Sequence, residues 1–245
     1  MGFRGRVFRA IRRSPAVAEV ARRLARVRPA RKAGTIWTAK PFSMMGYRRL
    51  SCLYDLAYGL ERDSVVGSFV ECGVRNGGSS AVIASAVREN RDRRVWLFDS
   101  WDGLPEPSIA DYSLLSGRQG ARGMLPSSID TVRHLMFTTL NLDKSRIHLV
   151  QGWFEKTIPP IATDLAPIAF LVLDCSWYES YRFCLNELYD RVAKGGIVWL
   201  DGYGSWQGCR QAVDEFIAQR QLNVTLHPVL EDATGFYMAV YLHKP

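Results

Sequence analysis

Glu71-Cys-Gly-Val-Arg-Asn-Gly-Gly78 is the stretch that organises this chain of 245 residues. The run before it, from Gly67 to Cys72, predicts a short buried strand, and the small and apolar residues from Ser79 to Val87 predict a helix. Glycines in the turn between them let a ligand approach the main chain closely, and the start of the helix offers free N–H groups. The stretch therefore predicts a strand, a turn and a helix with a ligand site at the turn.

An acid at the end of the next apolar run indicates the kind of ligand. Asp99 closes the run that begins at Arg94, about twenty residues after the glycines, where a carboxylate can accept hydrogen bonds from both hydroxyls of a ribose. The spacing from Glu71 is acid-x-Gly-x-x-x-Gly rather than Gly-x-Gly-x-x-Gly, which favours a nucleoside carrying a carboxylate over one carrying a pyrophosphate. Glycines alone fit any strand-to-helix turn equally well, but with both acids they favour S-adenosylmethionine.

Apolar segments and helical patterns alternate along the rest of the chain, which predicts an α/β fold with a doubly wound sheet. Four acids, Glu71, Asp99, Asp174 and Asp201, fall at strand ends, where such sheets bind their ligands. Further strands are predicted at Ile147–Val150, Ile168–Leu173, Gly196–Leu200 and Phe236–Leu242, and helices at Met44–Leu60, Tyr178–Val192 and Cys209–Gln219.

The charge is distributed unevenly. Residues 1–33 contain ten arginines and one lysine but only one acid, Glu19, so their net charge is +10. Since the net charge of the whole chain is +8, residues 34–245 carry a net charge of −2. A slightly acidic remainder argues against a nucleic-acid groove in the domain. We therefore divide the chain into a basic arm, 1–40, that is partly helical or disordered, and a domain, 41–245. The arm is interpreted as solvated, with contact to an anionic membrane surface or a protein partner, or a targeting role, as alternatives.

Three further features bear on location and organisation. No run approaches the length of a membrane span, and the N-terminus lacks the apolar core of a secretory signal, so we expect a soluble, cytoplasmic protein. The five cysteines contain no Cys-x-x-Cys pair, which favours reduced thiols. The segment at about 101–130 is rich in Gly and Pro and predicts a mobile lid over the ligand site.

Five stretches, in order over residues 41–243, resemble the macrocin-type O-methyltransferases (the TylF/MycF family) of class I S-adenosylmethionine-dependent enzymes. The resemblance implies a Rossmann-like, mostly parallel seven-stranded sheet with an antiparallel last strand and an N-terminal helical extension, and a possible homo-oligomer. The matching stretches are Phe69-Val-Glu-Cys-Gly-Val-Arg-Asn-Gly-Gly78, Val95-Trp-Leu-Phe-Asp-Ser-Trp-Asp-Gly-Leu-Pro105, Gly152-Trp-Phe-Glu-Lys-Thr157, Leu173-Asp-Cys-Ser-Trp-Tyr-Glu-Ser180, and Asp201-Gly-Tyr203 followed by Gly208-Cys-Arg-Gln-Ala-Val-Asp-Glu-Phe216.

The resemblance also assigns residues to the cofactor. The ribose is held by Asp99 and Ser100, and Asp174 lies next to the cofactor. The methionine end is held by Glu71, Gly73, Arg75, Asn76, Gly77, Gly78 and Ser79, and the adenine is flanked by Gly152, Trp153 and Phe154.

The acceptor end departs from the family pattern. In the family, a Leu-Asp-x-Asp-x-Tyr-Glu-Ser motif and an Asp-Asp-Tyr motif supply carboxylates to a magnesium ion that orients the hydroxyl to be methylated. Asp174 and Asp201 are present here, but Ser176 and Gly202 replace the second acid of each motif. Two interpretations stay open: a weaker magnesium site at Asp174 and Asp201, or metal-free catalysis by positioning. Asp174 is the first candidate for a catalytic ligand or base.

The sequence leads to two hypotheses for function. The first is an S-adenosylmethionine-dependent O-methyltransferase that acts on a hydroxyl of a small sugar-like or secondary-metabolite acceptor. Tyr178 and Tyr203 are candidates for the acceptor site, with core packing as an equally good explanation. The second, motivated by Ser176 and Gly202, is a non-catalytic or repurposed protein of the same fold that serves as a binding or scaffold module.

Overall fold

One seven-stranded sheet organises residues 29–245, the part of the chain that this computed structural model describes. The sheet order is β3-β2-β1-β4-β5-β7-β6; β1 to β5 are parallel, and β7 runs antiparallel to both of its neighbours. The strands are β1 (Ser68–Cys72), β2 (Val95–Asp99), β3 (Ile147–Gln151), β4 (Ile168–Leu173), β5 (Val192–Leu200), β6 (His227–Leu230) and β7 (Tyr237–His243).

Helices cover both faces of this sheet. Residues 29–39 are helical and form α1, while the first 28 residues of the predicted basic arm lie outside the described part of the chain. Within residues 29–245, no helix is long and apolar enough to cross a bilayer. The other helices are α2 (Tyr47–Arg62), α3 (Gly78–Ala86), α4 (Ile129–Arg133), α5 (Phe154–Thr157), α6 (Ala162–Leu165), α7 (Tyr178–Leu188) and α8 (Gln207–Gln219).

The central strands are buried on both faces, as their unbroken apolar runs predict. In β4, Phe170 and Val172 pack into the core layer under α2 and α3, whereas Leu171 and Leu173 pack into the layer under α7 and α8. Each helix contributes one apolar stripe to its layer, and in α8 the buried residues recur at helical spacing. They are Gly208, Cys209, Ala212, Val213 and Phe216.

The parallel strands bring the predicted acids to one edge of the sheet. Asp174 N–H donates to the carbonyl of Cys72 at 2.9 Å, and Asp201 N–H donates to that of Leu173 at 2.9 Å, so the ladder continues past the strand ends. The residues that follow β1, β4 and β5 therefore lie side by side.

The predicted fold class, including the antiparallel last strand, is confirmed. Local differences remain. Strand β6 is not predicted by the apolar pattern, because it is short, lies at the sheet edge and contains Pro228. The helix predicted as far as Val192 ends at Leu188, because β5 begins at Val192.

Candidate active site

A cavity of about 370 Å³ opens at the carboxyl edge of the sheet, where doubly wound folds bind ligands. The structure brings half of the predicted site residues to its wall. These are Gly73, Arg75, Ser79, Asp99, Trp153, Phe154, Asp174 and Asp201. The remaining predicted residues do not line it: Glu71, Asn76, Gly77, Gly78, Ser100, Gly152, Tyr178 and Tyr203.

Gly73 is the point where the turn after β1 meets the end of β4. Its φ of 95° lies in the left-handed region, which disfavours side chains. A Cβ atom at this position would lie 2.1 Å from the backbone oxygen of Asp174. Only glycine lets the two strand ends approach each other at the cavity wall.

Glu71 is buried at the end of β1, behind the wall rather than in it. Its two carboxylate oxygens accept hydrogen bonds from the hydroxyls of Ser79, at 2.5 Å, and of Ser80. Burial raises the pKa of Glu71 to about 7; the two serine hydroxyls act in the opposite direction, and the charges of Asp99 and Asp201 add to the rise. Since Ser79 lines the cavity, Glu71 acts on the site by holding the first turn of α3.

Asp99 joins the turn after β1 to the end of β2. Its Oδ2 accepts hydrogen bonds from the backbone N–H groups of Val74 at 2.8 Å and Arg75 at 2.7 Å, and its Oδ1 accepts one from Trp101 at 2.7 Å. A carboxylate has about four acceptor positions. Three are used by residues 29–245, so about one position remains for a ligand such as a ribose hydroxyl.

Arg75 provides an unused donor at the same wall. Its backbone has a φ of 50°, and its carbonyl accepts a hydrogen bond from the Trp101 indole at 2.9 Å, which fixes the turn. The Nε atom of Arg75 is buried without a hydrogen-bond partner among residues 29–245. An unpartnered buried donor is costly, and a carboxylate-bearing ligand in the cavity would satisfy it. S-adenosylmethionine therefore fits this wall.

Of the four acids at strand ends, Asp174 has the least engaged side chain. It is half-buried in the cavity wall, and no donor from residues 29–245 hydrogen-bonds to its carboxylate. Burial and the charges of Asp201 and Glu71 raise the pKa of the Asp174 carboxyl well above its usual range, whereas Arg49 lowers it. A carboxylate with free oxygens and a raised pKa is a candidate proton acceptor.

Arg49 is a site residue that no motif in the sequence signals. It lies in the first turn of α2, is 4% exposed and lines the cavity. Its Nη1 donates to both carboxylate oxygens of Asp201, at 2.9 and 3.1 Å, and its Nε forms an ion pair with Glu231. The one available sequence signal is its position four residues before Leu53, which puts a basic residue on the buried face of an amphipathic helix.

The residues around Asp174 and Asp201, where the acceptor is expected to bind, do not fit a magnesium ion. Magnesium requires oxygen ligands in near-octahedral geometry. Ser176 and Gly202 both line the cavity but bring no carboxylate, and both oxygens of Asp201 already accept hydrogen bonds from Arg49. No cluster of three potential metal ligands occurs within residues 29–245. The predicted magnesium site at Asp174 and Asp201 is therefore not supported.

The two tyrosines predicted to contact the acceptor have their hydroxyls directed elsewhere. The Tyr178 hydroxyl donates to Glu215 at 2.6 Å, and the Tyr203 hydroxyl donates to Asp214 at 2.7 Å. Both acids belong to α8, and neither tyrosine lines the cavity. Trp206, the residue before α8, is the aromatic side chain that lines the acceptor end.

The predicted lid segment contributes Gly103, Leu104, Pro105 and Leu125 to the wall. Residues 101–128 contain no regular helix or strand. The segment is nevertheless fastened to the elements that follow β4 and β5. The buried carboxylate of Asp111 accepts a hydrogen bond from Tyr178 N–H at 2.7 Å, at the start of α7.

Backbone hydrogen bonds complete this attachment. The N–H of Leu114 donates to the carbonyl of Ser205 at 2.8 Å, and the N–H of Gln207 donates to that of Tyr112 at 3.0 Å. The lid therefore holds the segment around Ser205 that lines the acceptor end. Its mobility stays a prediction.

The sheet order, the acid-bearing strand ends and the cavity beside them define a class I methyltransferase fold of the S-adenosylmethionine-dependent type. The model of one family, macrocin-O-methyltransferase (TylF), matches residues 6–239. The chain belongs to this family of S-adenosylmethionine-dependent O-methyltransferases, as its motifs predict.

Known proteins support this assignment. Demethyldecarbamoylnovobiocin O-methyltransferase from Streptomyces niveus is 32% identical over 77% of this chain and 72% of its own. The 8-demethyl-8-(2,3-dimethoxy-alpha-L-rhamnosyl)-tetracenomycin-C 4'-O-methyltransferase from Streptomyces olivaceus is 30% identical over 83% of this chain and 77% of its own. Among solved structures, the O-methyltransferase NovP superposes with a TM-score of 0.70 at 29% identity, over 83% of this chain and 82% of NovP.

Proposed function

We propose that this chain transfers a methyl group from S-adenosylmethionine to a hydroxyl of a sugar-bearing natural product or a similar small secondary metabolite. The names of the two relatives given above support this class of acceptor, since the first refers to demethyldecarbamoylnovobiocin and the second to a rhamnosyl-tetracenomycin. The observation that carries the proposal is one continuous cavity whose wall includes both Asp99 at the donor end and Asp174 at the acceptor end.

The donor wall supplies a group for each part of the cofactor. Asp99 holds the ribose with the acceptor capacity that the protein leaves unused, and Arg75 donates to the methionine carboxylate through its unpartnered Nε. Trp153 and Phe154 contact the adenine. Ser79 contacts the cofactor directly, with Glu71 behind it.

At the acceptor end, Asp174 acts on the hydroxyl that becomes methylated. When bound, S-adenosylmethionine supplies a methyl group on a positively charged sulfur, and S-adenosylhomocysteine remains after transfer. The acceptor oxygen gains the methyl group and loses its proton, and the Asp174 carboxylate takes that proton. The fixed geometry of the cavity holds the hydroxyl in line, which lowers the entropic part of the barrier.

Calorimetric titration with S-adenosylmethionine and S-adenosylhomocysteine tests the donor site. We expect both to bind the wild-type protein, and Asp99→Ala to abolish binding, because the change removes the ribose acceptor and the three backbone hydrogen bonds that shape the turn. Asp102→Ala, an exposed acid of the same turn, is the matched control. Unchanged affinity in Asp99→Ala would refute the donor site as assigned.

Methylation assays with a panel of glycosylated and unglycosylated polyphenols and macrolides then test the acceptor class. We expect methylated product, and loss of turnover with retained donor binding in Asp174→Asn.

The second candidate function, a binding or scaffold module, is favoured by the serine and glycine at positions 176 and 202. Donor binding without turnover of any acceptor would favour that module over an enzyme.

A further inference from the structure

The acceptor end of the cavity, which includes Asp174 and Asp201, also contains Arg49. The wall contains two basic residues, Arg49 and Arg75, and Arg75 lies in the turn after β1 at the donor end. Arg49 is therefore the source of positive charge at the acceptor end within residues 29–245. It is held by two acids from separate elements: Asp201, which follows β5, and Glu231, which follows β6.

The contacts of Arg49 with its two acids leave Nη2 nearly unused. A guanidinium has five N–H donors. Nη1 donates to the two oxygens of Asp201, and Nε lies in ion-pair contact with Glu231 without hydrogen-bond geometry. Nη2 has only the thioether of Met238 as an acceptor among residues 29–245, at 3.5 Å. Because a thioether is a weak acceptor and Met238 also lines the cavity, Nη2 is available to a ligand oxygen.

The same ion pairs oppose binding of a divalent cation. A cation bound to Asp201 would lie beside a guanidinium that is already paired with that carboxylate, and like charges in a buried site repel strongly. Within residues 29–245, Asp174 then remains as the free carboxylate of the two acids at the acceptor end, since positions 176 and 202 bring no acid.

We infer that methyl transfer in this cavity needs no magnesium ion, and that Nη2 of Arg49 donates to an oxygen of the acceptor beside Asp174. A fixed guanidinium orients the acceptor and stabilises the negative charge that develops on its oxygen as the proton leaves for Asp174. This inference rests on the proposed methyltransferase function and adds how the acceptor is held.

Direct metal binding is measured first, by electron paramagnetic resonance of Mn²⁺ titrated into the full-length chain with S-adenosylhomocysteine present. We expect no bound Mn²⁺ at concentrations up to about 1 mM, in the range of weak sites. The positive control is the double variant Ser176→Asp/Gly202→Asp. Position 202 has a φ of 83°, which aspartate tolerates better than most residues. A Cβ atom there meets ordinary contacts of 3.4 Å or more.

Turnover gives the second metal readout. We expect the same rate with a chelator and with added magnesium. Stoichiometric Mn²⁺ binding by the wild-type protein, or turnover that is lost with the chelator and restored by magnesium, would overturn the inference. The Mn²⁺ result stands even where no acceptor is turned over, so it separates failure of this inference from failure of the proposed function.

Arg49→Lys tests the role of Nη2, since lysine keeps the charge but cannot bridge two acids and an acceptor. We expect kcat/KM for the acceptor to fall about tenfold or more, with the affinity for S-adenosylhomocysteine unchanged. Arg48→Lys, at the neighbouring exposed position, is the matched control. An unchanged kcat/KM in Arg49→Lys would refute the acceptor role. Loss of S-adenosylhomocysteine binding in that variant would also refute it, because Arg49 would then act on the fold or the donor end.

Discussion

Glu71→Gln should make the stability of the protein less dependent on pH. Burial raises the pKa of the Glu71 carboxyl from its ordinary value of 4.5 to about 7 in the folded chain. Well below pH 4.5 the carboxyl is protonated in both the folded and the unfolded chain. Between pH 4.5 and pH 7 the unfolded chain releases the proton while the folded chain keeps it, so the free energy of unfolding falls as the pH rises.

The size of this effect follows from the two pKa values. A difference of about 2.5 pH units corresponds to about 3 kcal/mol at about 1.4 kcal/mol per unit. The wild-type protein should therefore lose about 3 kcal/mol through this group between pH 4 and pH 8. Glutamine does not titrate, and its amide can still accept a hydrogen bond from Ser79 or Ser80. The free energy of unfolding of the variant should therefore not show this fall with pH, whatever its absolute value.

Urea unfolding of the wild-type protein and the variant at several pH values measures the effect. The quantity of interest is the difference between the two free energies of unfolding, because titrations common to both proteins cancel. We expect this difference to change by about 3 kcal/mol between pH 4 and pH 8. Glu106→Gln removes an exposed carboxylate and serves as the control for a change of charge alone. A difference that changes by less than about 1 kcal/mol would refute burial of Glu71 as the cause of a raised pKa.

Two further predictions concern the lid and the tyrosines. Asp111→Ala removes the buried acceptor of Tyr178 N–H and should weaken closure of the lid by about 2 kcal/mol. Hydrogen exchange at the Leu114 amide would then be roughly thirty times faster, whereas exposed Ser116→Ala should leave it unchanged, and protection equal to wild type in Asp111→Ala would count against the attachment. Tyr178→Phe and Tyr203→Phe should each leave the acceptor KM within about twofold, because both hydroxyls donate to acids outside the cavity. A KM at least about five times higher in either variant would indicate that the hydroxyl of that tyrosine contacts the acceptor.

The turn proposed as the donor site was accessible from the sequence because its geometry is local. A strand, a glycine turn and a helix that follow one another within about twenty residues set each other's positions, and the parallel sheet brings Asp99 to the same edge. The acid at the end of each strand follows from the apolar run before it. The positions predicted from these runs, Asp174 and Asp201, therefore do line one cavity.

The roles of those acids were not accessible in this way. The partner of Asp201 is Arg49, 152 residues earlier in the chain, and no spacing in the sequence relates a helix before the sheet to the end of its fifth strand. The same holds for Tyr178, whose hydroxyl meets Glu215 across two packed helices.

The sequence by itself thus determined the α/β fold, the family and the glycine turn at which the donor site is proposed, since periodicity and short motifs encode contacts that are close along the chain. Only the tertiary structure decided that Asp201 is paired with an arginine and that the Asp174 carboxylate has no hydrogen-bond donor among residues 29–245. Such pairings depend on how α2 and the hairpin of β6 and β7 pack at the sheet edge, and packing is a property of the whole folded chain.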